Sequence, residues 1–283
     1  ALRFESLTAF DLTCMSFSPW GESTNAGRSR CLFPEAIVCA MTTLRTLNLS
    51  GVSHFGGNYG DAEYEDENTF EYLLDGSGRG GLPDFSKLIA LTTLGLKRVG
   101  IDGQFAELLP IRCLVNLTDL DISENCFAVL PDWIGELTQL VTLRMNFNSA
   151  LFWIPPSIGK LRKLKRLEVN LCSIHGDGAG SAYLPDEICS LLSLEVLHYY
   201  AEEDPRGYEE AGRDQEEYSS DDSDEPRGPA LPDAIGMLTG LKELRYNPYH
   251  QQTTDAVTSG LAALHRGGCM INDSMNAHIV YPW

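Results

Sequence analysis

The spacing L-x-x-L-x-L recurs eight times and limits the chain more than any other feature. It reads Leu7/Phe10/Leu12, Leu44/Leu47/Leu49, Leu91/Leu94/Leu96, Leu117/Leu120/Ile122, Leu140/Leu143/Met145, Leu164/Leu167/Val169, Leu194/Leu197/Tyr199 and Leu241/Leu244/Tyr246. The fourth and sixth positions point the same way in a strand, where side chains alternate, so each motif predicts one short strand with an apolar face. Successive motifs are 37, 47, 26, 23, 24, 30 and 47 residues apart. Units that short cannot bury an apolar face alone and must stack on their neighbours.

A second pattern runs in phase with the first. L-P-x-x-I-x-x-L precedes the strand in Leu130-Pro131…Ile134…Leu137, Ile154-Pro155…Ile158…Leu161, Leu184-Pro185…Ile188…Leu191 and Leu231-Pro232…Ile235…Leu238. Looser forms begin at Phe33-Pro34 and Leu82-Pro83. Proline fixes φ at the first turn of a short helix, where its missing N–H costs nothing. Each unit is then a strand plus one or two helical turns, and Trp133 and Trp153 are expected to cover the core on the helical side.

These paired motifs resemble intracellular leucine-rich-repeat proteins, among them the plant Ras-group-related class and the repeat arms of plant immune receptors. The resemblance covers roughly residues 82–200 and 231–247. It implies an α/β solenoid: a horseshoe of about eight repeats, with a parallel sheet on the concave side and short helices on the convex side. The chain departs from the family at the ninth repeat position, normally Asn. Asn125 and Asn148 fit it, but Cys172, Val99, Val52 and Met15 do not. The amide ladder is therefore expected to be incomplete and the outer repeats less regular.

The 283 residues are expected to form one domain, interrupted by acidic insertions at about 53–81 and 202–229 and closed by a C-terminal cap at about 250–283. The net charge of −19 is concentrated in those insertions. Residues 202–228 carry −9 and residues 61–75 carry −7, which leaves a scaffold of about −3. In the second insertion, Glu216, Glu217, Asp221, Asp222 and Asp224 are candidate contacts for a basic partner surface. Thr253-Thr254-Asp255 predicts a helix start, with Val257, Leu261 and Leu264 on one face and a stop at Gly267-Gly268. No polar cap is visible before the first strand, so a preceding segment or a partner is expected to cover that end.

Nothing in the sequence supports catalysis or a cofactor. Gly76-Ser77-Gly78-Arg79-Gly80-Gly81 matches a dinucleotide fingerprint formally, yet it leads into a repeat turn rather than a βαβ unit. The acidic runs lack calcium-loop spacing, and the six histidines show no ligand spacing, so no metal is expected. Ser219, ahead of Asp221-Asp222, is a candidate for an acid-directed kinase. Scattered cysteines without a C-x-x-C pair favour a reducing, intracellular compartment. No apolar run is long enough to span a membrane, and the acidity disfavours nucleic acid.

Positions three, five and seven of each strand motif are expected on the concave face, with position eight at its lip. Arg144, Phe147, Arg166, Glu168, Leu171, His198, Tyr200 and Arg245 are the partner-binding candidates, because mixed aromatic, arginine and apolar surfaces carry most interface energy. A plainer reading has Phe147 and Leu171 packing on each other. The function expected is a non-catalytic adaptor or scaffold that binds a protein partner. The alternatives are a structural subunit of a large assembly and the recognition arm of a larger regulatory or immune-receptor protein.

Overall fold

The computed structural model describes residues 7–11, 13, 41–51, 84–99, 101, 109–148, 151–172, 184–202, 231–246 and 254–273. Apart from Glu202, both acidic insertions, the glycine-rich run, Ser219 and the Phe33-Pro34 motif lie outside them.

The eight leucine motifs form eight strands: β1 (Ala9–Asp11), β2 (Thr46–Asn48), β3 (Thr93–Gly95), β4 (Asp119–Asp121), β5 (Thr142–Arg144), β6 (Arg166–Cys172), β7 (Val196–Glu202) and β8 (Glu243–Tyr246). A ninth, β9 (Met270–Asp273), follows the C-terminal helix α1 (Asp255–Arg266). All nine lie parallel in one sheet, in sequence order. The fourth-position residues form a single rung, from Phe10 through Leu47, Leu94, Leu120, Leu143, Leu167, Leu197 and Leu244 to Ile271. From Leu47 to Leu244 that rung is buried, while Phe10 and Ile271 at its ends are only half-buried. β9 escapes the motif because Gly268 and Asp273 hold its leucine positions.

The opposite wall is built from 3-10 turns at Leu109–Cys113, Asp132–Glu136, Pro156–Lys160, Asp186–Ser190 and Asp233–Met237. Their hydrogen bonds explain this form. Ile134 N–H donates to Pro131 O, Leu137 to Ile134 and Leu140 to Leu137, all within 3.0–3.1 Å. Apolar residues every third position eclipse one another at three residues per turn, so Ile134, Leu137 and Leu140 all face the core. The prolines do not enter the first turn, as the motif suggested. Pro131, Pro155, Pro185 and Pro232 sit one residue ahead with extended backbone.

Adjacent turns stack closely through a glycine column. A Cβ on Gly135 would lie 2.5 Å from Ser157 O, and one on Gly159 would lie 2.7 Å from Glu187 O. In the next repeat a buried cysteine, Cys189, holds the equivalent place. Burial pushes its thiol up to about 11. Among the described residues Cys113, Cys189 and Cys269 are free thiols.

Trp133 is buried, but Trp153 is not: 47% of it is exposed, alongside an exposed Phe152. Backbone bonds from Phe152 N–H to Ala128 O and from Leu130 N–H to Trp153 O hold that stretch to the previous repeat. Leu151 and Ile154 fill the inward sites on either side. At the C-terminal end Thr254 caps α1, accepting the Val257 N–H at 3.1 Å. Val257, Leu261 and Leu264 face inward, as their spacing predicts, and Gly268 ends the helix region at φ +90.

Candidate partner-binding face

Strand register brings the candidate residues together. At position five, Asp121, Arg144, Glu168, His198 and Arg245 are successive cross-strand partners. At position three the row is Asp119, Thr142, Arg166, Val196 and Glu243. Asn170 and Tyr200 pair at position seven. The intervening Leu143, Met145, Leu167, Val169, Leu197 and Tyr199 are buried on the other side, so the alternation places both rows on the open face.

Glu168 is the electrostatic centre, with its side chain only 15% exposed. Arg166 Nη1 donates to Oε1 at 2.8 Å, and Asn146 Nδ2 donates to Oε2 at 3.0 Å. Burial by itself would raise its pKa. The bonds from Arg166 and Asn146, with the charges of Arg144 and Arg166, outweigh burial and hold it below the ordinary 4.5. A second centre forms at Glu243, which meets His198 Nε2 at 3.0 Å and Arg245 Nε at 2.9 Å. There too, burial is outweighed by His198 and Arg245, and the carboxyl is held low. His198 and Tyr200 meet edge to face, with ring centroids 6.4 Å apart.

Arg144 stands apart from this pairing. Its Nε is 3.7 Å from Glu168 Oε1, an ion pair but beyond hydrogen-bond reach, and 39% of the side chain is exposed. No acceptor among the described residues bonds its guanidinium. The arginines were legible in the sequence, but their sharing of Glu168 was not. Arg144 lies between Asp121 and Glu168 in register, and side-chain conformation decides which it approaches.

Phe147 is at the lip, 36% exposed, in left-handed backbone at φ 58. Gly51, Arg98 and Glu124 occupy the same repeat position and share that conformation. Each sends its N–H to the position-seven carbonyl of the next strand: Gly51 to Lys97, Arg98 to Ser123, Glu124 to Asn146 and Phe147 to Asn170. The unusual φ is therefore required by the repeat. It also fixes where the Phe147 ring leaves the sheet. The backbone of Leu171 continues β6 opposite Ala201, while its side chain lies outside the described residues, as do Glu216, Glu217, Asp221, Asp222 and Asp224.

The position-nine amides lock the turns beyond the strands. Asn125 Nδ2 donates to Leu96 O, Ile122 O and Ser123 O, and its Oδ1 accepts from Val99 N–H and Ile101 N–H. Asn148 repeats only the donor half, bonding Ile122 O and Met145 O. A second ladder runs along position seven, where Ser123 Oγ accepts Asn146 N–H and Asn146 Oδ1 accepts Asn170 N–H. It ends at Asn170, 3% exposed, whose Oδ1 has no donor. Among the described residues no cluster of three or more His, Cys, Asp or Glu could hold a metal ion, and no helix is long and apolar enough to cross a membrane.

Comparison with known proteins finds the same repeat. The Leucine Rich Repeat family model matches residues 116–137, the unit that contains β4 and the following 3-10 turn. Adenylate cyclase of Schizosaccharomyces pombe is 39% identical over 109 residues, 38% of this chain and 6% of that protein. Leucine-rich repeat protein 1 of Mus musculus is 46% identical over 52 residues, 18% of this chain and 12% of that protein. The chain thus matches only a small part of each curated relative. Among solved structures, the plant peptide hormone receptor RGFR1 in complex with RGF2 is 21% identical with a TM-score of 0.43, covering 76% of this chain and 26% of that one. An internalin, inlF, from Listeria monocytogenes is 16% identical with a TM-score of 0.38, covering 87% and 71%. With eight motif strands in one register, 3-10 turns on the opposite wall and a family match on a complete unit, the chain carries leucine-rich repeats and folds as their solenoid.

Proposed function

We propose that this chain is a non-catalytic adaptor or scaffold module that holds a protein partner on its concave face. The observation that carries this reading is the convergence of Arg144, Arg166, Glu168, His198, Tyr200 and Arg245 on adjacent strands, with Phe147 beside them at the lip. Arginine and aromatic side chains fixed on a rigid sheet give large contact area at small ordering cost. The acidic insertions draw in a partner with a basic patch, as concentrated charge steers association. Scattered free thiols suit an intracellular, reducing location.

Affinity capture of the partner by the full chain, followed by substitution, tests the reading. Arg144→Ala, Arg166→Glu and Tyr200→Ala should each lose the same partner while keeping the wild-type melting temperature to within a few degrees. Capture unchanged by all three would exclude the concave face.

A second reading has support of its own. The chain matches 6% of one curated relative and 12% of another, so it also fits as the recognition arm of a longer protein whose activity lies elsewhere. Under that reading, a charge change on the concave face alters regulation of the whole protein without touching its chemistry.

A further inference from the structure

The concave face carries a charge step that the described residues leave uncompensated. On β4, Asp119 and Asp121 face outward two residues apart. Among the described residues their oxygens accept only neutral groups: Asp119 Oδ2 takes the Thr118 hydroxyl at 2.8 Å, and Asp121 Oδ1 takes the Ser123 N–H at 3.0 Å. Among the described residues neither carboxylate has an ion-pair partner. On β5, Arg144 is the direct cross-strand neighbour of Asp121. Opposite charges at such positions ordinarily pair. Here the guanidinium leans toward Glu168, which Arg166 and Asn146 already hold. The lip carboxylate Glu124 shows the contrasting case, paired with Lys97 at 2.8 Å and Arg98 at 3.4 Å. Asn170 adds an independent sign on the same face: a buried amide whose Oδ1 has no donor.

We infer that the concave face recognises an extended, zwitterionic segment of a partner protein, with a basic side chain over Asp119–Asp121 and an acidic side chain on Arg144. This deepens the proposed concave-face function and rests on it. The geometry sets the spacing. Adjacent strands are about 4.8 Å apart, and the shortest same-side spacing in an extended peptide, two residues or ~7 Å, lets long side chains reach both charges. The segment crosses the strands. The lone donors of Arg144 suit a carboxylate, which binds a guanidinium by charge-assisted hydrogen bonds.

The test uses the full chain and four fluorescein-labelled dodecapeptides with identical uncharged flanks. Their cores are Arg-Ser-Glu, Glu-Ser-Arg, Arg-Ser-Gln and Gln-Ser-Glu, so both chain directions and both single charges are sampled. By fluorescence anisotropy, one zwitterionic order should bind about tenfold tighter than either singly charged peptide. Asp121→Asn keeps an acceptor for Ser123 N–H, so the fold is retained. It should abolish the preference for arginine and leave the preference for glutamate. Arg144→Gln should do the reverse. Absence of saturable binding by every peptide overturns the inference, and so does an arginine preference that survives Asp119→Asn combined with Asp121→Asn. Loss of partner capture by Arg144→Ala alongside either result would leave the concave-face function standing and only the charge step refuted. Intact capture by Arg144→Ala, Arg166→Glu and Tyr200→Ala would refute the function itself.

Discussion

From Leu91 to Asn148 the chain leaves each strand by the same tight turn, whereas between Arg166 and Glu202 the strands run straight on. In the first region the strands are three residues long and position eight is left-handed; Asn125 and Asn148 hold two of the turns, and Asn125 Oδ1 also accepts the Val99 and Ile101 N–H groups of the repeat before it. In the second, β6 and β7 are seven residues long and pair through Cys172 and Glu202. The sequence difference is at position nine, where Asn125 and Asn148 give way to Cys172. A carboxamide offers two donors and an acceptor to backbone groups that would otherwise be orphaned. A thiol offers little of this, and the backbone of 170–172 satisfies itself by pairing with 200–202 instead. The opposite wall departs in the same repeat, with Cys189 in the glycine column. The short turn is therefore found where an asparagine of the same or the following repeat bonds its backbone, on a chain that can also extend.

Placing the second region's residues into the first is the severest way to break this contrast. Asn125→Cys removes two N–H donors, shared among three backbone carbonyls, and an oxygen that accepts two backbone N–H groups inside the core. Chemical denaturation should show a loss of about 3–5 kcal/mol, since each orphaned buried group costs ~1–3 kcal/mol. Gly159→Cys pushes a Cβ toward Glu187 O, 2.7 Å away. Overpacking of this kind should lower stability by about 2–3 kcal/mol in the same assay. Asn148→Ala should cost less, about 1–2 kcal/mol, because Asn148 Oδ1 has no bond to lose. Equal losses at Asn125 and Asn148 would show that the acceptor half of the amide contributes nothing.

The smaller effects sharpen the comparison. Phe147→Gly should be more stable than Phe147→Ala by about 1 kcal/mol, the difference expected when Cβ is absent in left-handed backbone. A melting-temperature difference near zero would mean that the turn relaxes when the ring is removed. The last test concerns acid. Glu168 has a folded pKa below its ordinary 4.5, so it contributes stability that is fully present above that value. The contribution is lost as pH falls through the lower folded value. Melting followed from pH 6 to pH 3 should therefore show a shallower acid-side decline in Glu168→Gln than in the wild type.

The strands and the helical wall were readable because leucine spacing reports directly on which side chains must be buried. The ninth strand was not, since Gly268 and Asp273 erase its spacing and only Ile271 remains on the rung. The left-handed lip was equally hidden. Gly51 alone among Gly51, Arg98, Glu124 and Phe147 is a residue type that advertises that conformation. For the site, alternation identified the face, but not the choice of Arg144 between two flanking carboxylates. Trp153 was misread because an aromatic next to a buried proline motif suggests burial, while the inward places were already taken by Leu151 and Ile154.

The single rung has a consequence for how such a molecule acquires new parts. Leu120 and Leu143 are joined by a 23-residue excursion and Leu47 and Leu94 by one of 47, yet both pairs meet in the same register. Doubling a flexible loop costs only about 0.6 kcal/mol in closure entropy. The sheet is thus nearly indifferent to the length of what departs from it, and each crossover is a port where foreign sequence can be spliced in. Charge and specificity can be edited at those ports while the leucines keep time.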